Sequence, residues 1–594
     1  MNSIWKICIG TGSVLLLTAS LTPETQARID QAREMASDQK LAKVETSGTT
    51  GQSDFNFMSG QAIGSFLAGR QARKDGDTSA AASYFSRVLA EDPDNRWIAR
   101  RSFLLDVSDG QLERAMPLAE RVISENERAP IAQLLSAANH LKHQRFGKTE
   151  AMIKKAGTRG AMQLIGPLMQ AWAGFGSGDM KRALARLKPL ERKVSFTPFV
   201  AYHKALLLGA SGDAVGALEA LDALPKNMSL DLRERLVYAA LLEKRDGAEA
   251  ASAYLKGLTA RYGEDPVLRA YLHHGRPISA AFPVKTAQDG MAEAFYGAAS
   301  ALSRDSVEDV TRIYVHLALF LKPELDVAHA LLGDMHDEKG HWSKAIAAYE
   351  AIEADSPYKW AAKVRIAWAL NSLEQTDEAE KLLRQMADER PDNISTLATL
   401  ADMQRGHSRF GEAAKVYKEA VDRIGSPEAR HWSIYYALGI ALERSKQWEA
   451  AEAALLKALE LNPDQPLVMN YLGYSWADKG VKLGEAVAMV RKAVDLRPAD
   501  GYVIDSLGWA HFRRGEFNDA LKHLERATEL RPEDPVINEH LGDVYWKVGR
   551  RLESCFQWRH ALSLEPDEHQ IPILKAKMAK GLDDDVQGFS GCKF

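Results

Sequence analysis

The chain has 594 residues, 76 Lys plus Arg against 80 Asp plus Glu, a formal charge of −4, and 46% hydrophobic residues. A near-neutral chain offers no broad basic face to neutralise phosphates, so a nucleic-acid partner is not expected. The three cysteines, Cys8, Cys555 and Cys592, are far apart and lack Cys-x-x-Cys spacing, which argues against a zinc site or a disulfide framework. Cys555 reads as a small packing residue, with a Cys555–Cys592 bridge tying back the tail as the alternative.

Residues 1–27 read as a secretory signal: Lys6 precedes an apolar run from Ile7 to Leu17, and small residues follow at Thr18-Ala19-Ser20 and Thr25-Gln26-Ala27. The run is short for a membrane span. Cys8 lies inside it, so no acylation site is evident, and membrane association stays open. An uncleaved anchor and a cytoplasmic protein with a misplaced start are the alternatives. Residues 28–60, including Thr46-Ser47-Gly48-Thr49-Thr50-Gly51-Gln52-Ser53, read as a flexible linker.

Residues 61–262 carry a divergent helical pattern. Gly69, Ala81, Phe85 and Pro93 mark one unit at 62–95, and Gly110 and Ala115 mark the next at 96–129. Gly178-Asp179 with Ala183, and Gly212-Asp213 with Ala217, look like turns followed by helix crossings, but the frame from 130 to 260 is not fixed. At 263–290 the pattern breaks at Pro266, Gly275, Pro277 and Pro283, as an irregular connection that is a hinge, a distorted repeat or an insertion.

From 291 to 568 the pattern is regular. The Leu-Gly pairs at 438–439, 472–473, 507–508 and 541–542 recur at spacings of 34, 35 and 34. Ala451, Ala486 and Ala520 sit where two helices cross tightly, and Gly340, Gly515 and Gly549 sit in the turns. Pro357, Pro391, Pro463, Pro498, Pro532 and Pro566 end the second helix of each unit. A period near 34 is the signature of the tetratricopeptide repeat. The expected fold is therefore all-α, a helix-turn-helix solenoid wound as a right-handed superhelix. Residues 569–594 supply a capping helix from Gln570 to Met578 and a mobile tail with Asp583-Asp584-Asp585.

No catalytic constellation stands out. The chain has no Gly-rich phosphate loop, no G-x-S-x-G and no H-E-x-x-H. His140 and His143 are too few for a metal site, and His273-His274 are adjacent and converge poorly on one ion. No catalytic residue, metal or cofactor is assigned, and the chain reads as a non-enzyme. The alternative, an active site built on 263–290, would need a deep pocket of titratable groups there.

Recognition is the chemistry this fold offers. The first helix of each repeat lines the concave face, at repeat positions two, five, nine, twelve and thirteen. These positions give Tyr436, Glu443, Arg444, Asn470, Tyr474, Asp478, Tyr502, Asp505, Trp509, Phe512, Arg513, Glu539, Asp543, Trp546 and Lys547 as a candidate partner-binding groove. Tyr and Trp offer large contact area at low entropy cost, and Arg adds bidentate pairing, which suits a peptide or a partner helix. Trp476 and Tyr545 read as packing residues; Trp509 and Trp546 fit either role.

The segments Trp448-Glu449-Ala450-Ala451-Glu452, Asn462-Pro463-Asp464-Gln465-Pro466, Asn470-Tyr471-Leu472-Gly473-Tyr474, Asp505-Ser506-Leu507-Gly508-Trp509, His540-Leu541-Gly542-Asp543-Val544-Tyr545-Trp546 and Phe556-Gln557-Trp558 resemble the large envelope tetratricopeptide-repeat proteins of bacteria. The resemblance covers about residues 290–580. Within that group it is similar to the lipid-anchored adaptors that bind a carboxyl-terminal processing protease. It implies a periplasmic scaffold whose partner is a protein of that kind. The missing acylation cysteine departs from that pattern. The alternatives are a structural subunit of an envelope or secretion assembly, and a cytoplasmic chaperone-like adaptor.

Overall fold

The computed structural model describes residues 59–582, with breaks at 126–128, 158, 226–227, 229, 263–264, 273–276 and 304–307, and residues 591–592. The signal-peptide reading, nearly all of the linker, His273, His274 and Asp583-Asp584-Asp585 lie outside the described residues. The described residues form thirty α-helices, three short 3-10 turns and no strand. They fall into two compact units that divide at residues 379 and 380.

Helices pair antiparallel because the turn between them reverses the chain in about four residues, through one residue of positive φ. Gly110 holds that position at φ +78° and Gly515 at φ +83°. Positive φ favours glycine, but Gln144 (φ 56°), Glu374 (φ 63°), Ser408 (φ 60°) and Lys446 (φ 66°) occupy the same position in other turns. The turn residues 76, 110, 144, 178 and 212 are therefore 34 apart without a slip. The N-terminal repeats keep a regular frame that the missing glycine at 144 hides.

The Leu-Gly pattern has a direct physical cause. A Cβ on Gly439 would lie 2.6 Å from Leu455, one on Gly473 2.5 Å from Val490, one on Gly508 2.6 Å from Leu524, and one on Gly542 2.5 Å from Trp558. Each glycine receives a large side chain from the second helix of its own pair. Ala451, Ala486 and Ala520 are fully buried at the same crossings.

In the N-terminal unit, the first helices of successive pairs are Arg96–Ser108, Pro130–Lys142, Met162–Gly176, Thr197–Ala210 and Leu232–Asp246. All five meet one helix pair from later in the chain, Ala287–Ser303 and Glu308–Leu321. Gly290 sits against the Trp172 indole, where a Cβ would lie 2.4 Å away, and Gly297 sits against Phe199 at 2.5 Å. Lys142 donates to the Phe320 carbonyl at 2.8 Å, with its ammonium 4.1 Å from the Phe320 ring centre. Arg233 pairs with Glu293 at 2.5 Å. The face that a partner would occupy in this unit is filled by the chain itself. Within 263–290, the helix Pro266–Leu272 and a 3-10 turn, Ile278–Ala281, lead to that pair.

The C-terminal unit stacks the pairs Ile394–Gly406 with Phe410–Arg423, Trp432–Arg444 with Trp448–Leu461, Pro466–Lys479 with Leu483–Leu496, Gly501–Arg513 with Phe517–Leu530, and Pro535–Lys547 with Arg551–Ser563. The helix Gln570–Lys580 closes the stack. It places Leu574 on Trp546 and Trp558. A disulfide joins Cys555 to Cys592, with the two Cα atoms 5.6 Å apart. This corrects the reading of Cys555 as a packing residue only: one bridge is present, and it anchors the end of the chain.

Candidate functional site

Two of the first helices of the C-terminal unit start from aspartate caps. Asp500 accepts from the Tyr502 amide at 3.1 Å, and Asp534 accepts from Val536 and Ile537 at 2.9 and 3.0 Å. Pro466 and Pro535 open their helices, where a missing N–H costs nothing. From these starts, Leu472, Leu507 and Leu541 go into the core, and the stripe of positions five, nine and thirteen is carried along the other side.

At the centre of that stripe is a ring stack. Trp509 lies parallel to Phe512 (5.0 Å between centres, 11°) and to His540 (4.1 Å, 15°). The Arg513 guanidinium is 5.8 Å from the Trp509 ring centre. Phe512 meets Phe517 edge-on at 5.4 Å. The Asp505 carboxylate is 2.9 and 3.1 Å from His540 Nδ1. Burial opposes a charged imidazole, but the Asp505 charge and hydrogen bond, with Glu539 and Asp543 behind them, hold the His540 pKa above its ordinary value. Arg513 donates to the Asp478 carbonyl at 2.6 Å and pairs with its carboxylate at 3.8 Å.

A second aromatic group spans the two preceding repeats. Tyr436 packs edge-on to Tyr471 at 6.0 Å and near Trp432 at 6.2 Å. Tyr471 donates to Glu443 at 3.3 Å, and Lys479 reaches the same carboxylate at 3.4 Å. Arg444 lies over the Phe410 ring at 4.8 Å.

The structure thus divides the sequence-predicted residues. Trp509, Phe512, Arg513, Asp478 and Tyr474 come together with Asp505, while Tyr436, Glu443 and Arg444 form the neighbouring group. Tyr502 stands apart at its helix start, under the Arg531 guanidinium at 5.1 Å. Lys547 is exposed, and Asn470 is buried. Trp546 is a correction. It is 1% exposed, sealed by Trp558, Leu574 and Gly581, and no partner can reach it. Glu539 and Asp543 are likewise buried, because Lys577 of the closing helix sits between them at 2.7 Å from each. Sequence reasoning passed over His540 and Lys577. The spacing of 35 from Asp505 to His540 was visible in the sequence, but pairing across successive first helices has no local signature.

Family models for tetratricopeptide repeats match residues 338–402, 399–466, 436–501 and 508–549. Those residues are tetratricopeptide repeats. The chain is 26% identical over 201 residues to the TPR repeat-containing protein PA4667 of Pseudomonas aeruginosa, covering 34% of this chain and 33% of that one. It is 35% identical over 101 residues to the cytochrome c-type biogenesis protein CycH of Rhizobium meliloti, covering 17% and 26%. The chain thus spans about a third or less of the length of the curated relatives it matches. Among solved structures, the APC/C hetero-tetramer Cut9–Hcn1 is 16% identical with a TM-score of 0.34, covering 89% of this chain and 97% of that one. YrrB, a TPR protein with an unusual peptide-binding site, is 18% identical with a TM-score of 0.26, covering 33% and 95%.

Proposed function

We propose that this chain is a non-enzymatic adaptor of the bacterial cell envelope, and that the first-helix face of its C-terminal repeats binds a protein partner. One observation carries the reading. In the N-terminal unit the equivalent face is filled by the helix pair 287–321, whereas around Trp509 and Phe512 the C-terminal face keeps half-exposed aromatic rings interleaved with Asp478 and Arg513. Aromatic and arginine side chains held in place by their neighbours are the usual anchors of protein interfaces.

Export is supported by two independent features. The apolar run from Ile7 to Leu17 has the form of a secretory signal. The Cys555–Cys592 disulfide is a bond that persists in oxidising compartments such as the periplasm. The resemblance to envelope repeat adaptors makes a carboxyl-terminal processing protease the first partner to test.

The test is affinity capture of the tagged full chain from its native envelope fraction, read by mass spectrometry, beside the Trp509→Ala variant. Recovery of a processing protease with the wild type and its loss with the variant is the expected result. A stoichiometric set of envelope-assembly subunits without a protease would replace the adaptor reading with a structural one. Recovery from cytosol with residues 1–20 still attached would overturn export.

A further inference from the structure

Tyr474 combines burial with an unused polar group. The residue is 8% exposed, and its hydroxyl has no hydrogen-bond partner among the described residues. Its oxygen keeps a small solvent contact. Burial first, and then the charges of Asp478, Asp505 and Glu539, push its pKa far above the ordinary tyrosine value. The hydroxyl is therefore neutral throughout the physiological range, with both lone pairs available.

The surroundings favour a cation. Asp478, Asp505, Glu539 and Asp543 project from three successive first helices. Against them stand two permanent cations, Arg513 and Lys577, and one histidine, His540, each already engaged with a carboxylate. Lys577 demonstrates the chemistry in place: an ammonium from a separate helix rests between two of these carboxylates at 2.7 Å from each.

We propose that the partner segment docks a basic side chain, lysine or arginine, against Tyr474. Its N–H donates to the tyrosine oxygen, and its charge is balanced by Asp478 and Asp505. This inference rests on the reading that the C-terminal face binds a protein, and it names the chemistry of that partner: a cationic residue set beside apolar ones that meet Trp509 and Phe512. The four carboxylates outnumber the three cationic groups by one, a neutral or acidic segment would leave that excess unbalanced, and charge complementarity of this kind discriminates between partners.

The test selects a displayed library of random dodecapeptides against the full chain and measures the recovered sequences as synthetic peptides. Enrichment of lysine or arginine beside an aromatic or aliphatic residue is expected. Replacing that basic residue by glutamine should weaken binding about tenfold, the size of one charge-assisted hydrogen bond. The same loss should appear in the Tyr474→Phe, Asp478→Asn double variant, and replacing the basic residue should then cost nothing more. Thermal melts of the variant confirm that it folds. Peptides lost on Trp509→Ala but indifferent to the Tyr474 and Asp478 changes would overturn the cationic inference and leave the binding face standing. Peptides indifferent to Trp509→Ala as well would overturn both.

Discussion

Arg233 grips Glu293 with two donors, Nε to Oε2 at 3.2 Å and Nη2 to Oε1 at 2.5 Å, while Nη1 reaches the Tyr358 hydroxyl at 3.3 Å. Glu293 is buried and Arg233 half-buried. The pair fastens the helix Ala287–Ser303 to the last first-helix of the N-terminal repeats. Breaking one half of a buried pair strands the other charge, at a cost of about 3–5 kcal/mol. Glu293→Gln should lower the stability of the N-terminal unit by that order in urea unfolding. The double change Arg233→Met, Glu293→Leu should recover most of the loss, because no charge is then stranded. A double variant as unstable as the single one would show that packing, not the pair, holds the helices together.

The Cys555–Cys592 bridge closes a loop with a sequence separation of 37. A loop of that length is worth about 3–4 kcal/mol in the chain-entropy account. Cys592→Ser should therefore loosen the closing helix Gln570–Lys580, and hydrogen exchange there should rise by two or more orders of magnitude. Exchange in Ile394–Gly406, four pairs away, should not change. Reduction of the wild type by dithiothreitol should reproduce the pattern; unchanged exchange at 570–580 in both cases would count against the bridge as the anchor.

Legibility in the sequence follows the range of the interaction. The pairs 432–563 could be placed from glycines and alanines because Gly439, Gly473, Gly508 and Gly542 each answer a side chain only 16 or 17 residues on. The N-terminal frame was harder to read because Gln144 takes a turn position that glycine marks elsewhere. The filling of the N-terminal face depends on Trp172 with Gly290 and Arg233 with Glu293, contacts across 118 and 60 residues that no local pattern announces. Trp546 occupies the repeat position of half-exposed Phe512, and what separates the two is the closing helix, which covers only the last repeat.

His316, half-buried, and His540, buried, titrate in opposite senses. His316 lies against Gly110 in the N-terminal unit, and burial, reinforced by Arg312, His336 and His329, lowers its pKa to about 4. A depressed histidine contributes stability that is present above its unfolded pKa of about 6.5 and is lost as pH falls toward the folded value, on the order of 3 kcal/mol in all. His540 in the C-terminal unit is raised, so its contribution is present below about 6.5 and is lost as pH rises through the folded value. Hydrogen exchange read separately at Arg96–Ser108 and Gly501–Arg513 should show the first weakening between pH 6.5 and 4.5. The second should weaken from pH 6.5 upward. His540→Gln should flatten the C-terminal slope, and His316→Gln should reduce the N-terminal one, leaving the part that buried His203 carries in the same direction; slopes unchanged in the variants would assign the pH response to other groups.

Trp509 and Trp546 provide the sharpest separation of binding from folding. Trp546 is enclosed by Trp558 at 5.4 Å between ring centres and by Leu574, so Trp546→Ala opens a cavity and should cost about 3–5 kcal/mol. Trp509 is half-exposed, and its losses on truncation are the stacks on Phe512 and His540. Its aromatic contacts are worth about 0.5–1.5 kcal/mol each beyond area, so Trp509→Ala should leave a folded C-terminal unit. Partner affinity should fall by tenfold or more with Trp509→Ala, at a protein concentration and temperature where the variant is fully folded by circular dichroism. Trp546→Ala should reduce binding only in step with its unfolded fraction, and lowering the temperature or adding a stabilising osmolyte should restore it. Equal, temperature-independent losses in both variants would mean that Trp546 reaches the partner after all, and that the closing helix moves aside when the partner binds.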